Sequence, residues 1–462
     1  MSTKINKINV SDEKLSSRGG LSLILRYLEN IQLYELITST ILLKVVFFSK
    51  GLQLQQFIKQ MIAFFIDGTD MSISGFDRKK KDKAYAAVLE NTEKEMASSH
   101  QIKRMFKKLS VMPNWLYNKI LHRLFIWRLK IENPQIIILG VDTMVLDNDD
   151  SKKKEGCEPT YKKKKGFQPL HISWNVFLID VMFRNGKAHS NHGTDYTDRV
   201  TVIVELIRKL YNKNVPIILC ADSGFADQKA YDIFDELGIH FITTSKLYKD
   251  IKEYATLLPQ EQYCELKKGQ QIWKYFDFGS KLKSWKRFRR SIFTTLSCDK
   301  NGQYVLDIEN KRTDNLIYTN IGTNEIADQR LKTAGGEKYF EAENIITLSH
   351  QRGADELIHR SIKELATKEQ LPFKSFGMNR SYYFLMVISH FIFETYKRDV
   401  TNEVIPVSSY PNTFRRKIID FAVKITSGSG YVILNIPRTV FENFKINNLW
   451  KKCQSPPIIQ FG

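Results

Sequence analysis

Apolar residues recur at helical spacing through the early part of the chain. Leu21 to Ile37 and Leu42 to Ile66 place them every three or four positions, so residues 18 to 130 are predicted to be mainly helical. Asp77 to Lys83 is a basic loop or helix start. From Ala97 to Phe106, small polar residues lead into a short basic helix that carries His100 and Arg104. That order fits the second helix of a helix-turn-helix, and it fits a plain surface helix equally well.

The period changes at Pro134. Ile136 to Val141 is an unbroken apolar run rich in β-branched residues, predicting a strand buried on both faces and ending on Asp142. Asn148 to Lys165 reads as a charged, lysine-rich loop. His171 to Trp174 and Val176 to Phe183 read as strands, Asp195 to Leu210 as a helix, and Val215 to Ala221 as a buried strand ending on Asp222. Ser223-Gly224 turns the chain into a helix over Ala226 to Leu237, followed by a strand over Ile239 to Thr244. Alternating strands and helices predict an α/β sheet. From Gln260 to Glu341 the pattern is β-rich, with strands over Ile272 to Phe278, Arg290 to Leu296, Tyr304 to Ile308 and Leu316 to Thr319. Helix returns after Ala342 and runs past Leu365. Arg380 to Arg398 is also helical, and Tyr431 to Asn435 suits a hairpin. No internal repeat is evident.

The net charge of +20 changes the picture, because it favours a polyanionic partner. Charge alone does not separate DNA from RNA or an acidic membrane. The longest apolar stretch, Tyr382 to Phe393, is interrupted by Ser389 and His390 and is too short to span a bilayer. Met1 to Ser17 is polar and lacks a signal-peptide core. A cytoplasmic, nucleoid-associated protein with no membrane partner is therefore expected. The five cysteines are dispersed and lack CxxC spacing, which disfavours zinc or a disulfide framework. There is no GxxxxGK[ST], so no nucleotide cofactor is expected.

Two aspartates at strand ends mark the chemistry. Open α/β sheets present reactive groups there, and paired carboxylates ionise together only when a cation lies between them. Magnesium suits such oxygen ligands, and a third carboxylate lets two ions sit about 3.5–4 Å apart for an in-line phosphoryl displacement. Glu356 is the candidate third acid. On a helix, Arg352, Glu356, Arg360 and Lys363 share one face. Such a stripe is either a salt-bridged surface or a metal-binding acid flanked by phosphate-holding cations. Asp355 points about 100° away, and Asp147 lies five residues after Asp142, in a loop that also contains Asp149 and Asp150. Further on, Lys281 to Arg290 interleaves cations with aromatics. Lys286, Arg287, Arg289 and Arg290 could lie on DNA while Trp285 or Phe288 stacks on an unpaired base; the competing reading is an amphipathic strand with its aromatics in the core. Lys162 to Lys165 could grip phosphates or form a solvated loop. His189 and His192 form a lone HxxH, weak evidence for zinc and suited at most to the rim of an active site.

These residues resemble the DDE-type insertion-sequence transposases of bacteria, in particular the group whose ribonuclease-H-like core is interrupted by a β-rich insertion before the final glutamate. The resemblance covers most of the chain. It rests on Val141-Asp142-Thr143, Gly166 to Leu170, Ala221 to Phe225, and Gln351 to Glu356. The family's last motif runs Tyr, two residues, Arg, three, Glu, six, Lys. Arg352, Glu356 and Lys363 match it, and Ser349 stands where Tyr is expected. The resemblance implies that Asp142, Asp222 and Glu356 bind two Mg²⁺ ions, which Mn²⁺ could replace. Water would cut at the transposon ends, and the freed 3′-hydroxyl would attack target DNA, by a cut-and-paste route. The implied partners are double-stranded terminal inverted repeats and target DNA, bound by a homodimer. The expected organisation is a helical DNA-binding region over 1–130, core over 131–259, β-rich insertion over 260–342, core with the catalytic helix over 343–400, and a C-terminal region, mostly helical, over 401–462. Two other classes compete: a DNA-binding protein without catalysis, and a ribonuclease-H-like nuclease that cuts without joining. The acidic trio argues against the first. The insertion and helical region argue against the second, because reading specific ends needs extra DNA-binding surface.

Overall fold

The computed structural model describes residues 5, 7–43, 51–150, 153–188, 193–283, 285, 287–305, 314–351, 354–365, 369–428 and 431–460. His189, His192, Lys286 and Arg352 lie outside them, as does most of the strand expected at Tyr304 to Ile308. The chain divides into two compact units. One comprises Met1–Ile120, Lys153–Glu155 and Arg360–Gly462; the other comprises Leu121–Lys152 and Gly156–His359.

The first unit is mainly helical. The helix Phe376–Tyr396 is buried along most of its length and packs against the helices Leu54–Asp67 and Ser99–Leu109. Aromatic rings fill the joint: Phe106 lies 5.2 Å from Phe57 and 5.0 Å from Phe373, and Phe65 lies 5.1 Å from Tyr382. The helix Ser99–Leu109 turns Ile102, Met105, Phe106 and Leu109 inward. Ser98 caps it and forms a capping box with Gln101, which satisfies amide groups that the first turn leaves unpaired. The expected hairpin pairs Val423–Gly428 with Tyr431–Asn435, and Lys14–Ser16 adds a third strand. Among the described residues no helix is long and apolar enough to cross a membrane.

The second unit is built on one sheet. Its strands are β1 (Ile137–Thr143), β2 (Leu170–Trp174), β3 (Phe177–Met182), β4 (Ile217–Ala221), β5 (His240–Ser245), β6 (Cys264–Lys268), β7 (Gln271–Ser280), β8 (Arg289–Cys298) and β9 (Asn315–Thr319). Among the described residues the spatial order is β6-β7-β8-β9-β5-β4-β1-β2-β3. β4 runs parallel to both β1 and β5, and β2 and β3 are antiparallel additions beside β1. The helices α1 (Asp195–Leu210) and α2 (Gln228–Glu236) occupy the β3–β4 and β4–β5 connections. This five-strand block is a ribonuclease-H-like core. The β-rich insertion extends its sheet, since β9 pairs with β5 from Leu316↔Ser245 to Thr319↔Ile242.

Cross-strand partners share a face of the sheet. Val141, Ile172 and Asp180 are such neighbours. On that face Arg199 of α1 binds Asp180 at 2.7 Å, and His122 reaches it at 2.7 Å. Burial pushes the Asp180 carboxyl up, but hydrogen bonds from Arg199 and His122 outweigh it and hold the pKa below its ordinary value. Ile138, Gly140 and Asp142 of β1 alternate to the other face, beside Ile218 and Cys220 of β4. There α3 (Ala342–Gln351) inserts Ile345, Ile346 and Leu348 against Ile218, Cys220 and Ile242.

Three expectations change. β1 is fully buried on one face only: Ile138, Gly140 and Asp142 are half-buried on the other, which α3 covers in part and which opens at the reactive end. The lysine-rich loop contains a small sheet of Leu146–Asp147, Lys165–Phe167 and Glu158–Pro159. A Cβ at Gly166 would run into the Leu146 carbonyl oxygen, so only glycine fits that approach. The stretch from Gln260 to Glu341 also holds a helix, Glu325–Thr333, capped by Asn324.

Candidate active site

β1 and β4 bring the two aspartates together. Their last paired residues are Val141 and Ala221, and Asp142 and Asp222 come next on each strand. Adjacent strands lie about 4.7–4.9 Å apart, so both carboxylates stand at the same level, on the same face, at the carboxyl ends of neighbouring parallel strands. Both are half-buried. Asp142 Oδ1 accepts from the Thr143 amide at 2.7 Å, and Asp222 Oδ1 accepts from the Gly224 amide at 2.8 Å. These amides fix each side chain while the pair stays open to solvent.

Glu356 arrives from the α3 side of the sheet. It is exposed on α4 (Ala354–Leu365). His359, one turn further, meets His171 with Nε2 3.3 Å from Nδ1. His171 is the β2 partner of Asp142. The segment bearing Glu356 is thereby held on the Asp142 face. Tyr161 lies within electrostatic reach of the three acids. Burial raises its phenol pKa, and Asp142, Asp222 and Glu356 each raise it further. Among the described residues no three His, Cys, Asp or Glu side chains form a ready-made metal cage. Oxygen-only donors, solvent access and mutual repulsion suit a hard divalent cation.

The other acids have local duties. Asp147 takes the Lys164 ammonium at 2.5 Å, and Asp149 accepts from the Lys165 amide at 3.1 Å, so both hold the small sheet together. The side chain of Asp355 lies outside the described residues. Ser349 is buried in α3, and its hydroxyl has no partner among the described residues, so this position packs inward.

The expected DNA-contacting residues divide. His100 and Arg104 are exposed, together with Lys103 and Lys107 on the same helix. Arg360 pairs with Glu364 at 3.0 Å and lies 4.3 Å over the Tyr410 ring, and Lys363 pairs with Glu369 at 2.7 Å. In the insertion, Arg287 is exposed and Phe288 is 70% exposed. Trp285 and Arg289 lie inside the unit instead. Trp285 packs 4.7 Å from Tyr318 and 5.6 Å from Tyr231, so its ring is not offered to a base. Arg289 is buried between Asp232, at 2.7 Å, and Asp235 of α2. Arg290 binds Asp277 at 2.6 Å and the Phe340 carbonyl at 2.8 Å. Sequence reasoning missed Tyr161 and the His171–His359 contact. The one local signal was an aromatic residue opening a run of four lysines, Lys162 to Lys165.

Residues 2–455 match the model of the family described as transposase DDE domain group 1. The chain belongs to the DDE transposases. Enzymes of this family use divalent metal ions, in keeping with the donor set of this transposase. No curated protein matches its sequence. Among solved structures, the transposase is similar to the piggyBac transposase in a cryo-EM synaptic complex with hairpin DNA. Identity is 15%, coverage is 87% of this chain and 79% of that one, and the TM-score is 0.37. A likeness of that strength leaves the assignment resting on the family match.

Proposed function

We propose that Asp142, Asp222 and Glu356 hold two Mg²⁺ ions, with Mn²⁺ able to substitute, and that the enzyme works by a cut-and-paste route on the ends of its element. The observation that carries this reading is the pairing of Asp142 and Asp222 at one level and on one face, with the helix that bears Glu356 held to that face through His359 and His171. When bound, the metal would activate the attacking oxygen and stabilise the leaving one. The protein's part is to fix three carboxylates around the scissile phosphate, two on rigid strand ends and one on a helix pinned through His359.

Double-stranded terminal repeats and target DNA are the proposed partners. The exposed cations of the helix Ser99–Leu109 and the Arg287–Phe288 tip of the insertion suit phosphate contact, and Phe288 is the aromatic available to stack on an unpaired base. A homodimer would pair two ends, and the protein would work at the bacterial nucleoid. The test is a strand-transfer assay with labelled terminal repeats and Mg²⁺. Joined product is expected, and Asp222→Asn should abolish cleavage and joining while DNA affinity stays within several-fold. Cleavage without joining would favour a plain nuclease, and binding without cleavage a DNA-binding protein that has lost its chemistry.

A further inference from the structure

The ladder between β1 and β2 does not stop at the sheet. It continues past Asp142↔His171 and Thr143↔Leu170 through a hydrogen bond from the Met144 amide to the Pro169 carbonyl at 3.1 Å. It then reaches Leu146↔Phe167 and Asp147↔Gly166. The ribbon therefore rises from the end of the sheet that bears Asp142. Glu158–Pro159 joins its free edge through Lys165 and Gly166, and the chain reverses over Thr160–Lys164. That turn is closely defined. The Thr160 amide and hydroxyl both donate to the Lys164 carbonyl at 2.9 Å, the Lys163 amide donates to Thr160 at 2.9 Å, and Lys163 adopts φ 59°.

Tyr161 stands on this turn. It is 59% exposed, so its ring is not a core residue, and the Lys162 ammonium sits 5.9 Å from the ring centroid. The Lys164 ammonium is held on Asp147, which ties the turn to the ribbon. Partial burial raises its phenol pKa, and the charges of Asp142, Asp222 and Glu356 add to that. An exposed tyrosine on a braced turn, on a ribbon that grows from the Asp142 end of the sheet and next to cations, has no structural duty that its exposure explains. It does have chemistry to offer, because a phenol is an O–H donor at neutral pH.

We propose that Tyr161 is a further substrate-contacting residue of the strand-cutting reaction, its hydroxyl donating a hydrogen bond to a non-bridging oxygen of the scissile phosphate. Charge on those oxygens is redistributed as the phosphoryl group transfers, and a donor fixed beforehand stabilises that change. The inference rests on Asp142, Asp222 and Glu356 being the reactive centre, so the experiment carries Asp222→Asn as a control.

The measurement is single-turnover cleavage of labelled terminal-repeat DNA by the full chain in Mg²⁺ at saturating protein, with DNA affinity measured in parallel. Tyr161→Phe should slow cleavage by about 10- to 100-fold, the range for losing a hydrogen bond to a charged group, with affinity unchanged within about twofold. Tyr161→Ala should be no more than slightly slower than Tyr161→Phe. Wild-type cleavage by Tyr161→Phe would overturn the inference, whether or not Tyr161→Ala is impaired. So would a loss confined to affinity, with the saturating rate intact. If Asp222→Asn still cleaves, the reading of the centre fails. If Asp222→Asn is inert and Tyr161→Phe is normal, the role of Tyr161 alone fails.

Discussion

Two basic stretches of similar composition meet opposite fates. On the helix Ser99–Leu109, apolar residues hold one side, and His100, Lys103, Arg104 and Lys107 face solvent. In the stretch 285–290 of the insertion, Trp285 and Arg289 are buried and Arg290 is locked to Asp277, leaving Arg287 and Phe288 outside. The difference lies in what each stretch meets. The helix presents its cations opposite a packed apolar face. The insertion runs into Asp232 and Asp235 on α2 and into the Tyr231–Tyr318 aromatic pair. Density of charge does not reveal exposure; nearby acids and ring partners decide it.

The largest effect that would sharpen this contrast is Trp285→Ala, which should destabilise the second unit by about 3–5 kcal/mol through lost ring packing. Arg289→Ala should follow at about 2 kcal/mol, because the half-buried Asp232 and Asp235 would lose the hydrogen bonds of their shared, buried cation. Denaturant melts measure both, and near-wild-type stability for either would erase the distinction. Lys103→Ala with Arg104→Ala should leave stability within about 0.5 kcal/mol. In terminal-repeat binding that pair should reduce the salt slope by about 1.8, two phosphate contacts' worth; an unchanged slope would remove this helix from the DNA surface. The smallest effect expected is Phe288→Ala. It should leave melting unchanged and weaken binding to ends with an unpaired base by about fivefold, the low end of base–aromatic stacking. Equal weakening on fully paired DNA would argue against stacking.

Much of the core was legible because its strands are continuous apolar runs. Ile136 to Val141 and Val215 to Ala221 announced β1 and β4, and with them the places of Asp142 and Asp222. What eluded the pattern was pairing over distance. Nothing local in Leu316 to Thr319 says that it will lie beside Ile242 to Ser245 and enlarge the core sheet. Asn148 to Lys165 reads as a loop because the strands that it joins are two or three residues long and runs of lysine separate them. Tyr161 was hidden for the same reason. Glu356 was reached through the spacing of Arg352, Glu356 and Lys363. The structure assigns Lys363 a partner of its own in Glu369, so that spacing alone is weaker support than the hold of His359 on His171.

Glu356 is therefore where the account is most directly tested. Cleavage of terminal-repeat DNA in Mg²⁺ should be compared for wild type, Glu356→Gln and Asp355→Asn, with DNA affinity recorded for each. Glu356→Gln should lower the rate by about 1,000-fold or more, the roughly 4 kcal/mol cost of losing a group that acts in the transition state, while Asp355→Asn stays within a few-fold. Cleavage by Glu356→Gln at a near-wild-type rate, or loss on changing Asp355 instead, would contradict it.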